Sequence, residues 1–387
     1  MALVLLAGGG TVGHLAPGFA VRDALEALGH RAVFVTPGEA REEAWFPAGD
    51  PPRLHVPAPR LPKGLFSKLT FAGRMGRSVW KARALLKRER PDAVLALGGW
   101  PCAPTAFAAI LRKVPLALFA ADAVPGLVVR KLERRASRTY LASAEALASL
   151  SHPERALVVG PFVRRSVSSA RRDPARFGLD ASSRTLLVVG GSLGARGLNA
   201  AAVAGLEAAV GADPTLAGRL QVIHSTGSEE EASTAAERYR RLGVRAHVRP
   251  FVAAIGEALA TADLVLCRGG ASTLAEVAAL SRPAVVVPYP HHADRQQWKN
   301  AEPLVARGLA VVVDEAALDP KAFRREVLDR LFDAARLSAM TDAPAGPAAP
   351  STTAGRPSAK DSDAAPDGAT TIALDLVRFF GTAGSRA

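Results

Sequence analysis

At 387 residues, 49% of them hydrophobic, the chain is long enough for two domains with sizeable cores. No stretch approaches the ~18 consecutive apolar residues of a membrane span, and MALVLLA is too short, and lacks the basic flank, for a signal peptide. The net charge of +13 predicts an anionic partner, a phosphorylated substrate or an acidic lipid surface. Nucleic acid is not expected, because there is no zinc-finger spacing, RNP-like aromatic motif or long basic run.

The first buried strand is ALVLLA, followed by a helix from about Leu15 to Leu28 that Gly29 stops. Further short apolar runs follow in RAVFVTP, DAVLALGG, PLALFAAD, RTYLAS and RALVVGP. Near Arg184 the pattern begins again with RTLLVVGG, then LQVIHSTG, VRAHVRPF, ADLVLCRGG, PAVVVPYP and LAVVVDE. Such runs alternating with helical stretches predict parallel sheets covered on both faces. The expected boundaries are a first domain at 1–160, a linker at 161–183 and a second domain at 184–337. Residues 338–368, rich in Pro, Ala, Ser and Thr, read as a disordered insert. A closing helix at 369–383 carries Ile372, Leu376, Phe379 and Phe380 at helical spacing and is expected to pack back onto the body. Cys102 and Cys267 match no metal or redox spacing and read as buried small hydrophobes in a reducing compartment.

Four stretches carry chemistry. In GGGTVGHLAPG, Gly8, Gly10 and Gly13 satisfy G-x-G-x-x-G, yet the next strand ends VFVTPGE with no acidic residue placed for an NAD ribose. His14 follows the last glycine at a helix start, where the dipole disfavours imidazolium and leaves a neutral base. A histidine capping its own helix is the alternative. In GGSLGAR, Gly190, Gly191 and Gly194 let backbone N–H groups approach an anion, Ser192 offers a hydroxyl, and Arg164 in GPFVRRS supplies charge.

In CRGGASTLAEVAAL, Glu276 is expected in the first helical turn, either accepting from two ribose hydroxyls or capping its helix. The stretch VPYPHHADRQQWKNAEPL supplies Gln296, Gln297 and Asn300, whose amides suit sugar hydroxyls. His291 and His292 lack a supporting ligand cluster, so no metal is expected.

Together these stretches resemble the MurG family of GT-B glycosyltransferases, which add N-acetylglucosamine to undecaprenyl-pyrophosphoryl-muramoyl-pentapeptide. The family's glycine-rich opening is matched by GGTVGHLAPG, its linker motif by GPFVR, and its second-half blocks by GGSLGAR, CRGGASTLAE and DRQQWKNA. The likeness spans residues 1–337 and resumes in the last helix. It implies an α/β protein of GT-B fold, two Rossmann-like doubly wound parallel-sheet domains facing across a cleft. It also implies an inverting reaction without cofactor or metal, and a peripheral position on the cytoplasmic face of the cell membrane.

By the same resemblance, Gly10, Thr11, Gly13 and His14 would cradle the acceptor's pyrophosphate. Arg164 and Ser192 would face the UDP diphosphate, Glu276 the ribose, and Phe251, Val252 and Arg268 the uracil. Gln296, Gln297 and Asn300 would contact the sugar, with Gly194, Ala271, Ser272 and Thr273 in the same donor set.

The chain departs from the family at Val12, usually glycine, and at Phe119–Ala120–Ala121–Asp122, where the family has His-Glu-Gln-Asn. His14 or Asp122 must then act as base. The basic balance finds a target in LPKGLFSKLTFAGRMGRSVWKARALLKRER. There Leu65, Phe66, Leu69, Phe71 and Trp80 alternate with Lys63, Lys68, Arg74, Arg77 and Lys81, suiting an anionic inner-membrane surface that holds a polyprenyl-pyrophosphate-linked acceptor. A UDP-sugar transferase with another lipid acceptor, and a donor-binding scaffold without turnover, are the competing functions.

Overall fold

A computed structural model describes residues 1–46, 53–62, 65–161, 163–191, 194–291, 294–341 and 368–381, without the side chains of residues 41, 44, 65–69, 165 and 381. The chain forms two compact units, one of Met1–Phe162 with Ala348–Ala387 and one of Val163–Pro347.

In the first unit β1 (Leu3–Ala7), β2 (Arg31–Thr36), β3 (Leu54–His55), β4 (Ala93–Ala96), β5 (Leu116–Ala120), β6 (Arg138–Leu141) and β7 (Ala156–Val158) form one parallel sheet. Its order is β3-β2-β1-β4-β5-β6-β7. All of β4 and β5 is buried, which is why these strands read as unbroken apolar runs rather than alternating ones. The two-residue β3, between prolines, carries too little pattern to be read from sequence. The helix after β1 spans Val12–Ala27, three residues earlier than its apolar spacing suggests.

The second unit holds β8 (Arg184–Val189), β9 (Leu220–Ser225), β10 (Arg245–Arg249), β11 (Leu264–Cys267), β12 (Ala284–Val286) and β13 (Ala310–Val312), again all parallel. The order is β10-β9-β8-β11-β12-β13. Successive side chains of a strand point to opposite faces. Leu186 and Val188 accordingly join Leu264 and Leu266 in one core, while Leu187 and Val189 join Val265 and Cys267 in the other. Burial pushes the thiols of Cys102 and Cys267 up to about 12, so both behave as apolar filler.

In each sheet the first strand lies between the second and the fourth, and that is where the winding reverses. Ligands of open parallel sheets bind beyond the carboxyl ends of the strands at such reversals. The glycine stretches after β1, β4, β8 and β11 all fall there.

The closing helix Gly368–Gly381 packs against Val12–Ala27, burying Ile372, Leu376 and Phe380. Phe379 stays half-exposed beneath the Arg138 guanidinium, 4.6 Å from its ring centre. Asp375 fixes the helix by accepting from the Tyr140 hydroxyl at 2.9 Å and pairing with Arg138 at 3.2 Å. The helix Ala334–Thr341 runs into the start of the stretch read as a disordered insert (338–368), with Met340 buried, and residues 342–367 lie outside the described residues. No helix among the described residues is long and apolar enough to cross a membrane.

Candidate functional site

In the second unit the reversal lies between β8 and β11. After β8, Gly191 and Gly194 take positive φ angles of 89° and 72°, and the Gly194 N–H closes the turn onto the Gly191 carbonyl at 3.0 Å. A Cβ on Gly194 would overlap the Thr226 carbonyl oxygen, so the position needs glycine for both its φ and its neighbour. The helix Arg196–Ala212 starts directly behind this turn. Ser192, the expected hydroxyl donor, lies outside the described residues.

After β11, Gly270 caps the helix Ala271–Ala279, and Ala271, Ser272 and Thr273 form its first turn, each part-exposed. Glu276 therefore sits in the second turn, not the first, and its carboxylate is buried rather than capping. Arg164 donates to it through Nη2 at 3.2 Å, while the Arg164 Nε is buried without a hydrogen-bond partner among the described residues. Burial pushes the Glu276 carboxyl above its ordinary 4.5, and the Arg164 charge and hydrogen bond partly oppose this.

Gln297 and Asn300, on the helix Gln296–Ala306, hold Gly269 from both sides. The Gln297 Oε1 accepts from the Gly269 N–H at 3.2 Å and from the Tyr289 N–H at 2.8 Å; the Asn300 Nδ2 donates to the Gly269 carbonyl at 3.0 Å. A Cβ on Gly269 would overlap the Gln297 carbonyl oxygen, so this close approach depends on glycine. Gln296 is part-exposed beside them, and its N–H donates to Asp294 at 3.2 Å. His291 is exposed, and His292 lies outside the described residues.

Arg268, expected at the uracil, donates from its guanidinium to the Val287 and Pro288 carbonyls at 3.0 and 3.1 Å and pairs with Glu315. It ties the end of β11 to the loop after β12. Val252 is buried in one core of the second unit, with Phe251 half-buried next to it.

In the first unit the reversal lies between β1 and β4. Thr11 stands at the N-cap of Val12–Ala27, yet its side chain makes no capping bond. Its hydroxyl instead meets the His14 Nδ1 at 2.9 Å, forgoing a cap that commonly contributes ~1 kcal/mol. His14 as a residue is part-exposed, and its ring lies against Gly99, after β4. Burial lowers its pKa below the ordinary 6.5, and the nearby Asp122 charge partly opposes that shift. Gly10 donates its N–H to Glu42 at 3.3 Å; the same buried carboxylate accepts from Gly38 at 3.0 Å and Glu39 at 3.2 Å. Glu42 thus braces the first glycine turn, a role that the sequence reading missed. Gly13 lies one residue into the helix. Phe119 and Ala120 are buried in β5, leaving Asp122 as the part-exposed polar group of that strand end. No group of three or more His, Cys, Asp or Glu among the described residues could hold a metal ion.

Two Rossmann-like units, each with glycine turns at its sheet reversal, make up the GT-B fold. Residues 4–141 match the glycosyltransferase family 28 N-terminal domain and residues 185–354 its C-terminal domain. A relative from Halorhodospira halophila, the "UDP-N-acetylglucosamine--N-acetylmuramyl-(pentapeptide) pyrophosphoryl-undecaprenol N-acetylglucosamine transferase", is 37% identical, covering 90% of this chain and 95% of its own. The Frankia casuarinae protein of the same name is also 37% identical, covering 89% and 91%. The crystal structure of Acinetobacter baumannii MurG superposes with a TM-score of 0.66 at 23% identity, over 98% of this chain and all of that one. The chain belongs to the MurG family within glycosyltransferase family 28.

Proposed function

We propose that this chain is an inverting transferase that moves N-acetylglucosamine from UDP-N-acetylglucosamine to a lipid-linked muramoyl-pentapeptide, as its curated relatives are named to do. The observation that carries the donor half is the part-buried Arg164–Glu276 pair at the reversal of the second sheet, beside an Arg164 Nε that is buried without a partner among the described residues. A nucleoside diphosphate offers what this pair lacks. Its ribose hydroxyls donate to the Glu276 carboxylate, and its phosphate oxygens accept from Arg164 and from the turn amides around Gly191 and Gly194. The first turn at Ala271–Thr273 presents further N–H groups, and the amides of Gln296, Gln297 and Asn300 take the sugar hydroxyls.

In the reaction the acceptor hydroxyl attacks the anomeric carbon, the bond from that carbon to the UDP oxygen breaks, and UDP leaves with the electron pair. Arg164 and the turn amides stabilise the charge gathering on the diphosphate. His14 takes the hydroxyl proton at Nε2, with its Nδ1–H donating to the Thr11 hydroxyl so that the accepting nitrogen is the free one. Asp122 stabilises the imidazolium that forms. Thr11 and Gly13 hold the acceptor's pyrophosphate at the start of Val12–Ala27, while Gly10, whose N–H is taken by Glu42, shapes the turn through its positive φ.

The helix Leu65–Glu89 is the proposed docking element for an anionic membrane surface. It exposes Arg74, Arg77, Trp80 and Lys81, while Phe71 stacks on Trp100 with ring centres 5.8 Å apart. Lys63 lies outside the described residues, as do the side chains of Leu65, Phe66, Lys68 and Leu69.

Thermal unfolding with added nucleotides tests the donor assignment. UDP-N-acetylglucosamine at about a hundred times its Kd should stabilise the protein by about 2.7 kcal/mol, and NAD should not stabilise it. Equal shifts with NAD would overturn the reading of the second unit. The buried Phe119 and Ala120 favour a second reading, a donor-binding scaffold, which binding without transfer would establish.

A further inference from the structure

The second unit buries a chain of polar side chains that nothing above uses. His224 on β9 is fully buried, and burial pushes its pKa down to about 4, so the ring is neutral. Its Nε2 lies 3.1 Å from the Asn199 Oδ1 and its Nδ1 lies 3.0 Å from the Tyr239 hydroxyl. The Asn199 amide donates to the Thr226 carbonyl at 2.8 Å and also to Glu231. Both partners of that nitrogen are acceptors only, so the amide has one orientation and its Oδ1 must face His224. An amide oxygen only accepts, so the His224 Nε2 carries the proton and its Nδ1 accepts from Tyr239. The donors run in one direction, from Tyr239 through His224 to Asn199, whose amide then donates to Thr226 and to Glu231.

The end of this relay is the atom that matters. The Thr226 carbonyl is the group against which Gly194 packs, and which a Cβ at Gly194 would overlap. Thr226 and Gly227 are held on their other side by the β10 end, through N–H bonds to the Arg249 and Pro250 carbonyls at 3.0 and 2.8 Å. Asn199 itself stands in the first turn of Arg196–Ala212, its N–H bonded to the Ala195 carbonyl at 2.8 Å. It therefore joins the helix start behind the glycine turn to the wall in front of it. Apolar side chains of similar volume would fill this core equally well. What they would not do is fix one carbonyl in one place.

We infer that Asn199 and His224 are positioning residues for the diphosphate, holding the Thr226 carbonyl where it sets the conformation of Gly194 and hence the aim of the backbone amides that follow it at the start of Arg196–Ala212. The inference rests on the reading of Gly191, Gly194 and the helix start behind them as the diphosphate cradle. Neither side chain reaches the ligand; both act through the turn. The role separates phosphate from nucleoside recognition, which a general loss of packing would not do.

The test compares affinity for UDP with affinity for uridine, each by titration, in the wild type and in Asn199→Ala, Asn199→Asp, His224→Phe and His224→Gln. Asn199→Ala and His224→Phe should weaken UDP about tenfold and leave uridine unchanged. His224→Gln, which can still donate to the Asn199 Oδ1, should retain UDP affinity. Should Asn199→Ala fail to fold, Asn199→Asp carries the same expectation, because it keeps the shape and the acceptor for His224 but loses both N–H donors. Equal weakening of UDP and uridine, or unchanged UDP affinity, would overturn the inference. Gly194→Ala separates the two levels. If it lowers UDP affinity while the Asn199 variants do not, the cradle stands and the positioning role falls. If it leaves the preference for UDP over uridine intact, the cradle reading itself falls, and the inference with it.

Discussion

Arg164 and Glu276, 112 residues apart in sequence, meet through one 3.2 Å hydrogen bond that joins the residues before β8 to the helix after β11. The desolvation of this part-buried pair falls mainly on Glu276, and losing Arg164 would leave that carboxylate stranded. The pair is therefore weak evidence for stability, and the proposed function gives it a nucleotide to hold.

Glu276→Ala should weaken UDP binding by on the order of 1–3 kcal/mol, through lost charge-assisted bonds to the ribose. Acidity supplies a second check. Burial raises the Glu276 pKa above 4.5, so the folded protein takes up its proton at a higher pH than the unfolded chain. This group's contribution to stability accordingly grows as the pH falls through the raised pKa towards 4.5, and shrinks as it rises. UDP affinity should change oppositely, falling with pH as the carboxylate becomes protonated. Titration calorimetry on Glu276→Gln should show weaker binding with that pH dependence removed. A pH dependence retained in the variant would assign it to another group.

His14→Ala should lower turnover at least about tenfold, within the range of a lost general base, and leave UDP affinity unchanged. Its pKa lies below 6.5, so the acid limb of the kcat/KM profile should fall below that value. Asp122 raises the His14 pKa, so Asp122→Asn should move the limb to lower pH and cost less than His14→Ala. A larger loss in Asp122→Asn would exchange the two roles.

Gly269→Ala puts a methyl group into the Gln297 carbonyl oxygen. The clash should cost about 1–3 kcal/mol of stability, as overpacking commonly does. Since Gln297 and Asn300 grip the same residue, KM for the donor should rise with it. A melting curve and donor KM equal to those of the wild type would show that the two helices do not depend on this approach.

Replacing Arg74, Arg77 and Lys81 with Glu should loosen binding to vesicles containing anionic lipid, each basic residue near such a surface contributing about 1 kcal/mol. Co-sedimentation measures it. Binding that persists unchanged would return the helix Leu65–Glu89 to an ordinary solvated surface.

The sequence was most legible where chemistry and topology coincide. Each glycine stretch follows an apolar strand, and the sheet order places those after β1 and β8 at the two reversals. Twelve of the strands, all but β3, were marked out in the sequence, the central ones as apolar runs because both faces of the sheet are covered there; the edge strand β10 keeps Arg245 and Arg249 exposed. Contacts between distant residues left no local trace. The bond from Tyr140 to Asp375 spans 235 positions, and His224 reads as one residue of a strand until Asn199 and Tyr239 are placed around it. Glu276 was assigned one turn too early because the glycines before it resemble a helix start, which comes only at Ala271. Arg268 gave no sign of its bonds to the Val287 and Pro288 carbonyls, since backbone acceptors are invisible in a side-chain pattern.

The most direct measurement is UDP release from UDP-N-acetylglucosamine by the purified full chain, with and without a polyprenyl-pyrophosphoryl-muramoyl-pentapeptide acceptor. The proposed function predicts release that depends on the acceptor, yields one disaccharide-linked lipid per UDP, and is lost in His14→Ala while that variant still binds UDP. Tight binding of the donor with no transfer to this acceptor would contradict it.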